Sequence, residues 1–172
     1  MTLRHRAALR WQVSSDDDKV NYDEACAMEE GDLLTYDSVE VGTEFPPYVY
    51  RLSEETVKDY VRAIQDRHPL FNDPDYAQRL GYRGVVAPPT TAAIYATRAH
   101  KQSRKLPPGG IHAKQMFRFL RPVYPGDTLI STARVVDKYI KKEKKYVVIE
   151  VETRNQDGDK VVVSRSTGIW PT

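Results

Sequence analysis

Apolar positions in this chain follow two periods, and the changes between them mark its elements. Tyr48, Tyr50 and Leu52 alternate with Val49 and Arg51, the period of two that predicts a strand. Immediately afterwards Val57, Tyr60, Val61 and Ile64 recur at helical spacing, so SEETVKDYVRAIQ predicts an amphipathic helix. Ser53 suits its N-cap, and Glu54 and Glu55 put negative charge in its first turn. Asp-Pro-Asp at 73–75 opens a second, short helix, DYAQRL, which Gly81 terminates. Pro88 and Pro89 then introduce a predicted helix running from Pro89 to Arg104. Ala92, Ala93, Ala96 and Ala99 keep it slender, and Arg98, Lys101, Arg104 and Lys105 gather toward its C-terminal end, where the helix dipole favours cations.

LPPGG breaks that helix, and the remainder reads as four strands: HAKQMFRFLRPV, DTLISTARVVDKYI, KKYVVIEVETRNQ and DKVVVSRSTGIW. YPGD and QDGD mark tight connections, and KKEKK at 141–145 reads as a solvated hairpin tip. The order strand, helix, short helix, slender helix, four strands predicts a single α+β domain over residues 36–172. Its antiparallel sheet covers the alanine-rich helix, whose small side chains admit close approach. Residues 1–35 are polar and acidic after a basic start and lack a long apolar period, which predicts a partly ordered extension. A short helix over Tyr22–Glu29 is an open alternative there.

Composition narrows the function classes. A chain of 172 residues has room for one core, and 40% hydrophobic with 29% charged residues is an ordinary soluble balance. There is no apolar run long enough to span a membrane and no apolar signal region, and the single cysteine, Cys26, excludes an internal disulfide; a cytoplasmic location is expected. A net charge of +2 gives no support for nucleic-acid binding. The chain holds no GxSxG, HExxH or P-loop motif, and His5, His68, His100 and His112 lack metal-ligand spacing, so no metal site is expected.

One stretch carries a stronger signal. YVRAIQDRHPLFNDPDYAQRLGYRGVVAPPT resembles the MaoC-like hot-dog proteins, which commonly show Asp-x-Asn-Pro-x-His and later a His-Gly pair before a central helix. QMFRFLRPVYPGDTL is similar to the strand that enters that family's Pro-Val-x-x-Gly-Asp turn. The likeness covers residues 36–170 and is nearest the substrate-binding, N-terminal type of MaoC dehydratase domain, through Ala-Pro-Pro-Thr at 87–90. It implies a sheet wrapped around a central helix. It also implies hydration of an enoyl thioester, or dehydration of a (3R)-hydroxyacyl thioester, carried on coenzyme A or an acyl carrier protein. No cofactor is implied, the thioester being substrate. In the family an Asp and a His hold the water between them, and a backbone N–H of the His-Gly pair stabilises the enolate-like oxygen.

Carried onto this chain, the family's Asp falls on Asp66, its Asn on His68, its Pro on Pro69 and its His on Phe71. The His-Gly pair falls on Pro88 and Pro89, neither of which has a backbone N–H. Asp66 and His68 are the remaining acid–base candidates, each also readable as a hydrogen-bonded turn residue. Tyr82, Ala87, Pro88, Pro89, Thr90, Ala93 and Ala96 are the substrate-binding candidates, with Arg83 as either channel wall or surface residue. Lys101, Arg104, Lys105 and Lys114 are candidates for nucleotide phosphates or an acidic carrier. The leading expectation is a thioester-binding subunit that needs a catalytic MaoC-type partner. The alternatives are a self-sufficient homodimeric hydratase using Asp66 and His68, and a non-enzymatic thioester-binding module. A homodimer or heterodimer is expected in each case, because a lone sheet leaves a strand edge open.

Overall fold

In the structure, a computed structural model, residues 34–101 and 108–171 are described. Apart from residues 34 and 35, the expected N-terminal extension lies outside them, as does the alternative helix over Tyr22–Glu29. The elements are β1 (Glu44–Arg51), α1 (Glu54–Ala63), α2 (Pro74–Arg79), α3 (Ala92–Tyr95), β2 (Ile111–Phe119), β3 (Thr128–Lys141), β4 (Lys144–Arg154) and β5 (Lys160–Trp170). The five strands form one antiparallel sheet in the order β1-β3-β4-β5-β2. No helix among the described residues is long and apolar enough to cross a membrane.

Local chemistry sets the boundaries. The Ser53 hydroxyl caps α1 by accepting the Thr56 N–H at 3.1 Å. At the other end Gln65 takes a left-handed backbone conformation (φ 55°), its N–H donates to the Arg62 carbonyl, and the Asp66 N–H reaches back to the Val61 carbonyl at 3.2 Å. That pair of bonds is a Schellman stop, and it fixes where Asp66 leaves the helix. Asp73 caps α2, and Gly81 (φ 86°) follows its end. The 141–145 stretch is the tip of the β3–β4 hairpin, with Lys142 and Glu143 both at positive φ, the conformation a two-residue hairpin turn requires.

One side of the sheet is buried. Leu129, Ser131, Ala133 and Val135 of β3 alternate with exposed or half-buried neighbours, and Val147, Ile149, Val151 and Thr153 do the same on β4. Two hydroxyls in this face, Ser131 and Thr153, satisfy each other at 2.8 Å. Val57 and Val61 of α1, with Ala92, Tyr95 and Ala96, join Leu52, Leu129, Val161 and Val162 in one cluster. Ala99 joins Val135, Val147, Ile149, Val151 and Trp170 in another.

The predicted helix over 89–104 is only partly regular. Pro89–Thr91 forms a 3-10 turn, α3 spans four residues, and 96–101 continue as turns; 102–104 lie outside the described residues. The reason is tighter winding. Thr91, Arg98 and Lys101 donate to carbonyls three residues back, whereas Ala96 donates four back, to Ala92. The inward positions survive the change: Ala92, Tyr95, Ala96, Ala99 and His100 are all buried, as helical spacing predicts. Ala96 is wholly buried, whereas Ala93 faces outward. Ala96→Leu is therefore expected to overpack this contact at a cost of about 1–3 kcal/mol. Ala93→Leu should stay within about 0.5 kcal/mol of the parent. Urea unfolding of the two variants beside the parent checks the difference.

Candidate functional site

The Schellman stop of α1 delivers Asp66 to the mouth of a cavity of about 1400 Å³. α1 residues Val57, Lys58, Val61 and Arg62 form one wall, and Phe71, Asn72, Arg83 and Tyr124 close it from other loops. Asp66 is half-buried there, and one carboxylate oxygen accepts the backbone N–H of His68 at 2.9 Å, an Asx turn. His68 is exposed and outside that wall. Its Nδ1 accepts the Leu70 N–H at 3.2 Å, capping the 3-10 turn Pro69–Phe71, so the bond requires the ring proton on Nε2. Asn72 fixes the loop by donating to the carbonyl of His68 at 3.0 Å. The turn reading of both residues thus describes their hydrogen bonds.

Phe71 is half-buried, packs on the core cluster of Leu52, Val57 and Ala92, and lines both this cavity and a second of about 310 Å³. The second cavity is apolar. Of the substrate-binding candidates it gathers Tyr82, Ala87, Pro88 and Pro89, together with Tyr95, Phe119 and Val162. Pro88 leads into the 3-10 turn with no side-chain cap, and the Thr91 hydroxyl bonds its carbonyl. Tyr95 is buried and stacks on Tyr50 at 6.4 Å between centroids. Burial, and then the charge of Asp127, holds its phenol well above the usual range, so it remains a neutral O–H. Thr90 is exposed beside this cavity, Ala96 lies in the core away from both cavities, and Ala93 lines a third space of about 270 Å³ near His100. Of the phosphate candidates, Lys101 borders that third space and Lys114 lies on β2; Arg104 and Lys105 are outside the described residues.

Two features escaped sequence reasoning. Asp127, in the Pro-Gly-Asp turn, is buried and accepts the Tyr124 N–H at 2.9 Å; Arg83 pairs with it while its guanidinium lies 4.1 Å over the Tyr124 ring. This anchor ties the 82–87 loop to the turn before β3 and holds the two cavity walls together. The partners are 44 residues apart, and only the carboxylate's place in a Gly-Asp turn hinted at it. The other is His100, 5% exposed, edge-on to Phe45, with no hydrogen-bond partner for Nδ1 among the described residues.

The (R)-hydratase PhaJ1 from Pseudomonas aeruginosa superposes with a TM-score of 0.67 at 28% identity, covering 80% of this chain and 85% of that one. The C-terminally truncated HadBC complex, a 3R-hydroxyacyl-ACP dehydratase from Mycobacterium tuberculosis, matches with a TM-score of 0.68 at 27% identity, covering 75% and 96%. Fold and sequence together define a MaoC-like hot-dog domain of the dehydratase and hydratase class. The model described as FAS1-like, dehydratase domain region, matches residues 39–164, and the chain belongs to that family. A UPF0336 protein of Saccharopolyspora erythraea is 31% identical over 134 residues, 74% of this chain and 86% of that protein.

His100 makes stability depend on pH. Burial first, then the charges of Lys101 and His112, lowers its pKa to about 4 from an ordinary 6.5. The unfolded chain therefore takes up the proton more readily than the folded one, so stability is intact above the unfolded value and falls as pH drops from 6.5 toward 4. Between about pH 7 and about pH 5 the parent should lose about 2 kcal/mol from this residue. His100→Gln should flatten that part of the profile, as read from urea midpoints across the range.

Proposed function

We propose that the chain is the acyl-thioester-binding subunit of an (R)-specific enoyl-thioester hydratase, or equivalently a (3R)-hydroxyacyl-thioester dehydratase, whose proton-transfer groups come from a second hot-dog subunit. The observation that carries this reading is the pairing of a retained apolar cavity with unsuitable groups at the reacting end. The family resemblance sets the proton-transferring His on Phe71, which packs into the core and has nothing to donate or accept. It sets the oxyanion donor on Pro88–Pro89, where no N–H exists.

Magnitudes support dependence on a partner. A missing general acid–base group costs about 10²–10⁴-fold, and a missing oxyanion donor about 2.7–4 kcal/mol. His68 offers little compensation, because it stands outside the cavity wall with its ring held in the turn, and Asp66 is left without a proton-transferring partner at Phe71. The HadBC relative is itself a complex, which is consistent with a two-subunit arrangement. The cavity beside Ala87 and Tyr82 suits an acyl chain, and the neutral Tyr95 phenol on its wall suits a polar group on that chain.

Copurified with a hot-dog subunit that keeps both the family's Asp and His, the chain should support hydration of crotonyl-CoA and longer enoyl thioesters. In that complex Asp66→Asn should change kcat/KM by less than about 10-fold, below the loss of a working acid–base group. Ala87→Leu, which fills the apolar cavity, should shift preference toward shorter acyl chains. A steady-state series over chain length reads both effects. Loss of all turnover in Asp66→Asn would return the acid–base role to this chain.

A further inference from the structure

The hairpin that joins β3 to β4 reaches beyond its neighbours. β1 pairs with β3 only from Thr128 to Arg134, and β5 ends against β4 at the Trp170–Lys145 pair. Residues 140–144 therefore project past both flanking strands. They lie at the opposite end of β3 from Tyr124, Pro125 and the large cavity. Over a 14-residue strand that is a separation of roughly 40 Å.

The tip is cationic, and its charge is free. From residue 138 to residue 145 there are five lysines and one glutamate. Two of the lysines are committed. Lys138 donates to the Val39 carbonyl at 2.9 Å, Lys145 pairs with Asp37 at 3.3 Å, and both lie over the Tyr36 ring. Lys141, Lys142 and Lys144 are exposed, and their side chains have no partner among the described residues. The turn is also held against local preference. Lys142 and Glu143 both take left-handed backbone conformations (φ 49° and 62°), where Asn-Gly is the easy pair. These residue types bring charge to the turn at the expense of backbone ease.

Apolar groups are interleaved with the cations. Tyr139 lies opposite Tyr146, and their rings stack at 4.8 Å. Lys141 and Lys144, two positions further out on the same face, lie opposite each other. On the other face Ile140, 63% exposed, stands opposite Lys145. Shape and charge together select a partner. A projecting tip has no groove for a peptide and meets a flat surface well. Lysine is a point charge on a flexible stem, which suits mobile phosphates, and the tip carries no arginine fork for fixed bidentate recognition. Tyrosines behind a row of cations, with an aliphatic side chain among them, match the boundary between lipid headgroups and acyl chains.

We propose that the β3–β4 hairpin tip docks the chain on an anionic lipid surface, with Lys141, Lys142 and Lys144 against headgroup phosphates and Ile140 entering the acyl boundary. The contact is peripheral and leaves the cavities at the opposite end of β3 open. It does not depend on the thioester reading above.

Cosedimentation with vesicles of phosphatidylcholine, alone or mixed with phosphatidylglycerol, tests it. The parent should bind the mixed vesicles and not the neutral ones, and should leave them as salt rises. Lys141→Gln, Lys142→Gln and Lys144→Gln together should weaken that binding about 100-fold, each cation at such a surface being worth about fivefold. Arg79→Gln, Lys114→Gln and Arg118→Gln together remove the same charge from exposed positions elsewhere and should leave most of the binding. Ile140→Ser should weaken it several-fold and keep the salt response. A hairpin triple variant that binds like the parent would overturn the proposal, as would a parent that ignores the mixed vesicles. Equal losses in the two triple variants would overturn it too, because net charge and not the tip would then be the cause. So would a parent that binds an RNA oligonucleotide in place of the mixed vesicles.

Discussion

The close approach of residues 89–101 to the concave sheet is the constraint on which the rest depends. Ala92 and Ala96 pack with Leu129, Val161 and Val162, and Ala99 with Val135, Val147, Ile149 and Val151, all three alanines being buried. That approach joins two otherwise separate clusters of buried side chains through one short segment. It also aims Tyr95 into the apolar cavity and brings Pro88 and Pro89 to its rim. The Arg83–Asp127 pair, stacked on Tyr124, then fixes the loop on the far side. Packing and site are one arrangement, because the residues that hold the segment in place also shape the space beside it.

The same arrangement underlies the proposed division between thioester binding and proton transfer. Phe71 strengthens the wall between the two cavities through apolar contact, where a family member's His would hold water. Pro88 and Pro89 fix the entry into the 3-10 turn and remove two N–H groups from it. Each change suits packing while working against charge stabilisation. On the proposed reading, a partner subunit supplies what is missing.

Much of the fold was legible because alternation and capping are local. The β2–β5 strands, the Ser53 and Asp73 caps, and the 141–145 hairpin tip all follow from residue types within a few positions. The length of the helix after Pro89 was not legible, since the same inward positions serve both the four-residue and the three-residue winding. At the site, the Asx turn at Asp66 was readable from Asp-Arg-His-Pro. The placing of Ala96 in the core, away from both cavities, was not, because the small residues of that segment divide between packing and lining only in three dimensions. The Arg83–Asp127 anchor and the burial of His100 depend on contacts between distant segments, for which a single sequence holds no local sign.

The central claim is that the isolated chain lacks proton-transfer chemistry, and its turnover of crotonyl-CoA tests this most directly. The account predicts that the homogeneous protein alone hydrates this thioester no faster than background, and that His68→Ala and Asp66→Asn leave that rate unchanged. A rate on the order of 10 s⁻¹, abolished by His68→Ala or Asp66→Asn, would contradict it and make those two residues the acid–base pair.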